Sequence, residues 1–299
     1  MKRPPPLSCN GKFSVCVAIT RFEPRGHGQL RTEGSDRRDI ALPFNQEQVI
    51  EKIASVNPNV ITVLVVGAPV DLRQVDPVSK AMLVSWFNGS EGGNALADVL
   101  LGYISPSGRL PFTFPAKLED SPAYALGNFP NGTPAAADIF VNLVDKKTDK
   151  SDAQAKNVSV YSEDLLVGYR WFNTKDIRPA YPFGYGLTYT TFEYSDIATS
   201  KDKYVGNQNI DVSFKLKNSG HFKAEEVVQL YVNRPQSKVE WPERELKAFA
   251  RVALEPGQDS TITLSVPVES LKYWSEDDYS WKLENGDVKI IIGDNASSC

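Results

Sequence analysis

The chain has 299 residues, of which 41% are apolar and 23% charged, and its net charge is -4. This is long enough for two domains and too ordinary in composition for a disordered chain. The acidic balance argues against a nucleic-acid partner, which favours a basic face. No apolar run approaches the roughly 20 residues that span a bilayer, so no membrane partner is expected.

The opening "MKRPPPLSCNGKF" has basic residues without an apolar core behind them, and does not read as a signal peptide. Residues 14–20, "SVCVAIT", form a short β-rich apolar run and predict a buried strand, in which Cys16 is a small apolar residue. Residues 60–67, "VITVLVVG", predict a second. Between them "NQEQVIEKIASV" predicts a helix. Asn45 is its expected cap, Gln48 completes a capping-box pattern, and Val49, Ile50, Ile53 and Val56 form the inward face. Strand, helix, strand implies a parallel α/β layer. "EGGNALADVLLG" predicts a second helix, with Ala95, Leu96, Val99 and Leu100 inward and Gly102 as its stop. Residues 116–160 read as loops, and the glycines and aromatics of "YPFGYGLTYTTFEY" as tight turns packed under rings.

From about residue 188 the period changes to two. "NIDVSFKLKN", "EVVQLYVNR", "LKAFARVAL", "STITLSVP" and "DVKIIIG" follow at short spacing, separated by turn residues. They predict an antiparallel β-sandwich of immunoglobulin-like size. Trp241, Trp274 and Trp281 are expected to pack in its core or along its edges, because large rings usually carry sandwich cores. The expected division is an α/β sandwich domain over residues 1–187, short of its first elements, and a β-sandwich over 188–299.

The connection from the first strand to its helix is unusually long. It carries "RTEGSDRR" and lies at the carboxyl end of a parallel strand, where open α/β sheets bind ligands. Gly26, Gly28 and Gly34 loosen its backbone, and Arg25, Arg31, Arg37 and Arg38 surround Glu33 and Asp36. On chemistry alone such a cluster reads first as a solvated loop. Other chemistries fit less well. His27 and His221, the two histidines, fall in different predicted domains, and no G-x-S-x-G elbow is present. Cys9, Cys16 and Cys299 have no metal-ligand spacing, so no metal is expected. "SEGGNA" opens a helix but lacks a Walker lysine. Glycosylation-type triplets start at Asn88, Asn131, Asn157 and Asn295, and lean towards a secreted relative.

Four ordered blocks then resemble one family. "WFNGSEGGNALADVLLGYISPSGRLPFTFP" (86–115) is similar to the signature of the second domain of glycoside hydrolase family 3, the β-glucosidase and β-xylosidase family. "VYSEDLLVGYRWF" (160–172) and "RPAYPFGYGLTYTTFEYS" (178–195) resemble its next blocks. "EEVVQLYVNRPQSKVEWPERELKAFARVALEPG" (225–257) resembles its fibronectin type III-like domain, and "TEGSDRRDIALPFNQEQVI" fits the block that precedes them all.

The resemblance implies a retaining hydrolase of terminal β-linked glucosyl or similar residues, working with two carboxylates and no cofactor. Glu33 matches the glutamate of an "EGxDR" loop that serves many members as general acid/base. Asp36, Arg37 and His27 are candidate substrate contacts beside it, and Glu91 and Glu163 read as structural. The family's nucleophile is an aspartate of an N-terminal (β/α)8 barrel, which needs at least ~200 residues. About 13 residues precede the first predicted strand, so no nucleophile is expected within this chain.

The expectation is therefore the C-terminal part of an extracellular β-glycosidase, from a truncated or degraded gene, inactive alone and partnered by a barrel in cis or in trans. The other reading is a non-catalytic carbohydrate-binding or partner-docking module, which requires exposed aromatic rings at Trp86, Trp171 or Trp241.

Overall fold

A computed structural model describes residues 16–21, 39–128 and 161–298. The chain opens into a parallel sheet of order β1-β2-β3, made of β1 (Cys16–Arg21), β2 (Val60–Val65) and β3 (Ala81–Val84). Cys16 pairs with Val60 and Arg21 with Val65, so β1 and β2 run in register along their whole length. Helix α1 (Gln46–Val56) joins them, as the strand–helix–strand pattern predicts. The third strand, "AMLV", was not anticipated, because four residues carry little period.

The cap of α1 differs from expectation. Asn45 sits in the left-handed region at φ 54 and makes no capping hydrogen bond. A side-chain cap needs extended backbone at that position, so the capping box with Gln48 does not form. The inward face is also narrower than predicted. Ile50 is buried, and Ile53 and Ala54 pack beside it, whereas Val49 and Val56 are exposed. The helix is rotated so that the middle of its apolar arc meets β2. The core beneath it gathers Leu42, Val60, Leu64, Val66, Val70 and Phe114.

Helix α2 (Gly92–Leu100) follows β3 and is stopped by Gly102 at φ +74, which lets the Tyr103 amide donate to the Asp98 carbonyl. Its expected inward face is only partly covered. Ala95 is exposed, and no residue of the helix is fully buried. The third helix, α3 (Pro122–Ala125), is a single turn. The fourth, α4 (Tyr169–Thr174), buries Trp171 and Phe172 with Leu166. Segment 178–187 then returns along 110–114. Phe114 and Tyr181 exchange backbone hydrogen bonds, and Gly184 donates to Leu110.

The second domain is a β-sandwich of two three-stranded sheets. One has the order β4 (Phe192–Thr199), β5 (Asn209–Asn218), β8 (Asp259–Pro267). The other has the order β11 (Lys289–Gly293), β6 (Ala224–Asn233), β7 (Glu245–Leu254). Strict alternation on β5 turns Ile210, Val212, Phe214 and Leu216 onto Val228, Leu230 and Val232 of the facing sheet. A two-stranded hairpin, β9 (Tyr273–Ser275) and β10 (Ser280–Lys282), stands apart from both sheets.

Two of the three tryptophans fall differently from expectation. Trp241 is half-buried, with Arg234 and Lys247 over its ring at 5.2 Å and 5.7 Å. Trp274 and Trp281 are exposed on the hairpin, 47% and 62% respectively, and belong to no core. Period two states which residues share a face, but not whether that face is covered.

Candidate active site

The parallel sheet positions the candidate site at its carboxyl edge, where three loops leave β1, β2 and β3. The first holds the sequence-predicted residues. Glu33, Asp36, Arg37 and His27 all lie outside the described residues, as do the triplets at Asn131 and Asn157. What is described is the anchorage of that loop. It leaves from Arg21, beside Val65. It returns at Ile40, whose carbonyl accepts a 2.7 Å hydrogen bond from the Asp71 amide in the loop after β2. Asp39 accepts from the Ala41 amide at 3.0 Å, and buried Leu42 seats the return in the core. Both ends of the Glu33 loop are therefore tied to the carboxyl edge of β2.

The loop after β2 is itself held by a fork. Arg73 donates through Nε and Nη2 to the Asp71 carboxylate, at 3.0 Å and 2.5 Å. Hydrogen bonding from the guanidinium outweighs partial burial and holds the Asp71 carboxyl below its usual range. Val70, Leu72 and Val75 pin the loop from below.

The loop after β3 begins with Trp86 in the left-handed region, at φ 56. For a bulky residue this conformation is strained and persists only where packing enforces it. Trp86 meets Phe112 edge-to-face at 5.3 Å within the core, which fixes its ring and keeps it from being an open sugar platform. Phe87 is then turned outward, 65% exposed, with its ring over Gly67. A Cβ at Gly67 would stand 2.5 Å from Phe87 Cε2, so the approach requires glycine. Glu91 accepts from Asn94 Nδ2 at 2.6 Å. Glu163 is half-buried, and its Oε2 has no hydrogen-bond partner among the described residues.

Of the two described glycosylation triplets, Asn88 is exposed. Asn295 is buried instead. Its Oδ1 accepts from the amides of Ser297 and Ser298, and its Nδ2 donates to Asp294, so this side chain is committed to the local turn. Trp171 is buried, with Nε1 donating to the Asp120 carbonyl. Among the described residues no group of three His, Cys, Asp or Glu side chains is placed to hold a metal, and no helix is long and apolar enough to cross a membrane.

Residues 11–189 match the glycosyl hydrolase family 3 C-terminal domain, and residues 226–296 match the fibronectin type III-like domain. Among curated proteins, the chain is similar to thermostable beta-glucosidase B of Acetivibrio thermocellus. The two are 40% identical over 265 residues, which is 89% of this chain and 32% of that protein. Beta-glucosidase BoGH3A of Bacteroides ovatus is 38% identical over the same shares. Among solved structures, the GH3 beta-glucosidase of Bifidobacterium adolescentis aligns with a TM-score of 0.74 at 31% identity, covering 88% of this chain and 35% of that one. Beta-glucosidase 3B of Thermotoga neapolitana, in complex with alpha-D-glucose, aligns with a TM-score of 0.76 at 31% identity, covering 96% and 36%. The chain thus spans about a third of the length of the curated relatives it matches, and it corresponds to their C-terminal part.

Proposed function

The chain belongs to glycoside hydrolase family 3, and from that premise we propose that it forms the C-terminal part of a retaining β-glucosidase-like enzyme. Its substrates are terminal β-linked glucosyl or similar residues at the non-reducing end. One observation carries the reading. The match to β-glucosidases runs through both domains and covers 89% of this chain.

In this reading Glu33 is the general acid/base. It protonates the leaving oxygen and then activates the water that releases the sugar. Docking of the loop against a second domain would desolvate Glu33 and raise its pKa towards the range suited to acid work. In the same reading Asp36, Arg37 and His27 are substrate contacts. The nucleophile comes from a (β/α)8 barrel on the same or a separate polypeptide, so residues 1–299 alone do not turn over. The exposed Asn88 triplet favours an extracellular parent.

The test assays the chain alone, and then joined to a family barrel, on 4-nitrophenyl β-glucoside and β-xyloside. No turnover is expected alone. In the joined enzyme, Glu33→Gln should cut kcat on alkyl glucosides by several orders of magnitude. It should spare the first step for aryl glucosides with acidic phenols, whose leaving groups need no proton, and azide should restore release of the sugar. Turnover by the chain alone, or a joined Glu33→Gln variant with unchanged kcat, overturns the proposal.

A further inference from the structure

The β9–β10 hairpin carries three exposed aromatic rings in ten residues and buries none of them in a core. Trp274 and Trp281 pair directly across the two strands, so their indoles share one face. The rings meet edge-to-face, with centroids 5.7 Å apart and planes at 73°, and form an open corner rather than a sealed cluster. Tyr279 in the turn is 81% exposed and is held in the left-handed region at φ 48. That conformation is uncommon for an aromatic residue and here closes the turn between the two strands.

The hairpin is also rigidly mounted. Buried Arg234 donates to the Leu271 carbonyl at 2.8 Å and to the Glu284 carbonyl at 3.1 Å, clamping the two ends of the hairpin together. Glu284 in turn accepts from Ser237 Oγ and from the Lys238 amide. In the turn, Ser275 Oγ donates to Asp278 at 2.9 Å, and Lys282 Nζ lies 3.3 Å from the same carboxylate. Among the described residues, the side-chain hydrogen bonds and ion pairs of residues 273–282 stay within the hairpin. None reaches the α/β domain.

The chemistry of the patch selects its ligand. The turn that joins the two strands carries exposed Glu276, Asp277 and Asp278, with Lys282 paired to Asp278, so its balance is acidic and disfavours phosphates and nucleic acid. Aromatic faces flanked by strong acceptors suit a neutral molecule with an apolar C–H face and a fringe of hydroxyl donors. Sugars have that form, and a β-linked glucose ring, with its hydroxyls equatorial, presents the flattest such face. We propose that the Trp274–Trp281–Tyr279 corner is a surface binding site for β-linked glucan chains, separate from the catalytic centre. The choice of β-linked glucose rests on the β-glucosidase reading above. Such a site holds a polymer beside an enzyme that trims its ends.

The test uses the 299-residue chain, which needs no barrel for binding. Affinity electrophoresis in gels containing laminarin or barley β-glucan, with titration of cellohexaose followed by tryptophan fluorescence, reads the site directly. Retardation is expected, and it should fall at least tenfold in Trp281→Ala and Trp274→Ala and by less in Tyr279→Ala. Should an alanine variant not fold, Trp281→Phe serves beside oxidation of the wild type by N-bromosuccinimide, in which bound cellohexaose should protect the exposed indoles.

Absence of binding to every β-glucan overturns the proposal, as does binding that the tryptophan variants leave intact. Equal binding to amylose overturns the assignment of β-linked glucan. Glu33→Gln should bind as the wild type does, so failure of the catalytic reading and failure of this one are seen in different assays.

Discussion

Arg109 Nη2 lies 2.6 Å from Glu226 Oε1 with both side chains nearly sealed from water, and this pair joins the α/β domain to the β-sandwich. Arg109 also donates to the Gly186 carbonyl, and Tyr194 Oη donates to the same Glu226 oxygen at 3.2 Å. Burial pushes the Glu226 carboxyl above its ordinary value, and Arg109 opposes that rise. The glutamate is thus expensive to ionise and depends on one guanidinium.

Arg109→Ala should therefore cost about 3–5 kcal/mol near neutral pH, the usual result of stripping a buried charge of its partner. A folded pKa raised above the unfolded one gives stability that is present at acid pH and lost as pH rises through the folded value. Removing Arg109 raises that folded value further. Urea midpoints at pH 5 and pH 8 should show the larger penalty at pH 8. Equal penalties would mean that Glu226 does not change its proton occupancy in this range. Replacing both residues by leucine should cost much less than the single change.

The same junction depends on Gly184. At φ +81, with its would-be Cβ 2.2 Å from Gln229 Oε1, it allows Gln229 to bridge the domains. Gln229 Nε2 donates to the Gly184 carbonyl at 3.2 Å and to the Asp294 carbonyl at 2.6 Å, while Tyr231 Oη donates to its Oε1. Gly184→Ala adds a left-handed backbone penalty to a steric one, and should lower stability by about 1–3 kcal/mol in chemical denaturation.

These contacts show what the sequence made legible. Strand β5 matches its predicted span, "NIDVSFKLKN", to the residue, because five alternations on a half-buried face leave one solution. Glu226 carried a signal that went unread. It shares a face with Ala224, Val228 and Leu230, and a charge at an inward position calls for a buried partner. That partner is 117 residues away, and no local pattern spans such a gap. Asn45 was read as a cap because its side chain suits one, although asparagine also tolerates the left-handed backbone it adopts here. The exposure of Trp274 and Trp281 was missed because large rings usually carry sandwich cores, whereas these lie on a hairpin outside both sheets. Glu33 stood out from other loop acids only through family resemblance.

Gly67 and Phe87 should be energetically coupled. Gly67→Ala alone forces the Phe87 ring off its seat, whereas Phe87→Ala removes a side chain that is mostly in solvent. In the double variant the ring atoms nearest to a Cβ at position 67 are gone. A double-mutant cycle should return a coupling of about 0.5–3 kcal/mol that favours the pair of changes over their sum. Additive costs would show that the ring is not held against the glycine in solution.

The open side of helix α2 gives the last prediction. Leu101 and Ile104 follow the helix with 61% and 56% of their surfaces in water, whereas Leu64 of β2 is fully buried. Leu64→Ala should cost about 2–5 kcal/mol by leaving a cavity. Leu101→Gln and Ile104→Asn change side chains that lie more than half in water, and each should cost far less, about 0.5 kcal/mol in urea denaturation. A polar change here that costs as much as Leu64→Ala would show that another surface covers this side of α2 in solution. Sedimentation velocity on the same samples would then separate self-association, in which the parent sediments faster than the variant, from cover by the chain's own residues, in which both sediment as monomers.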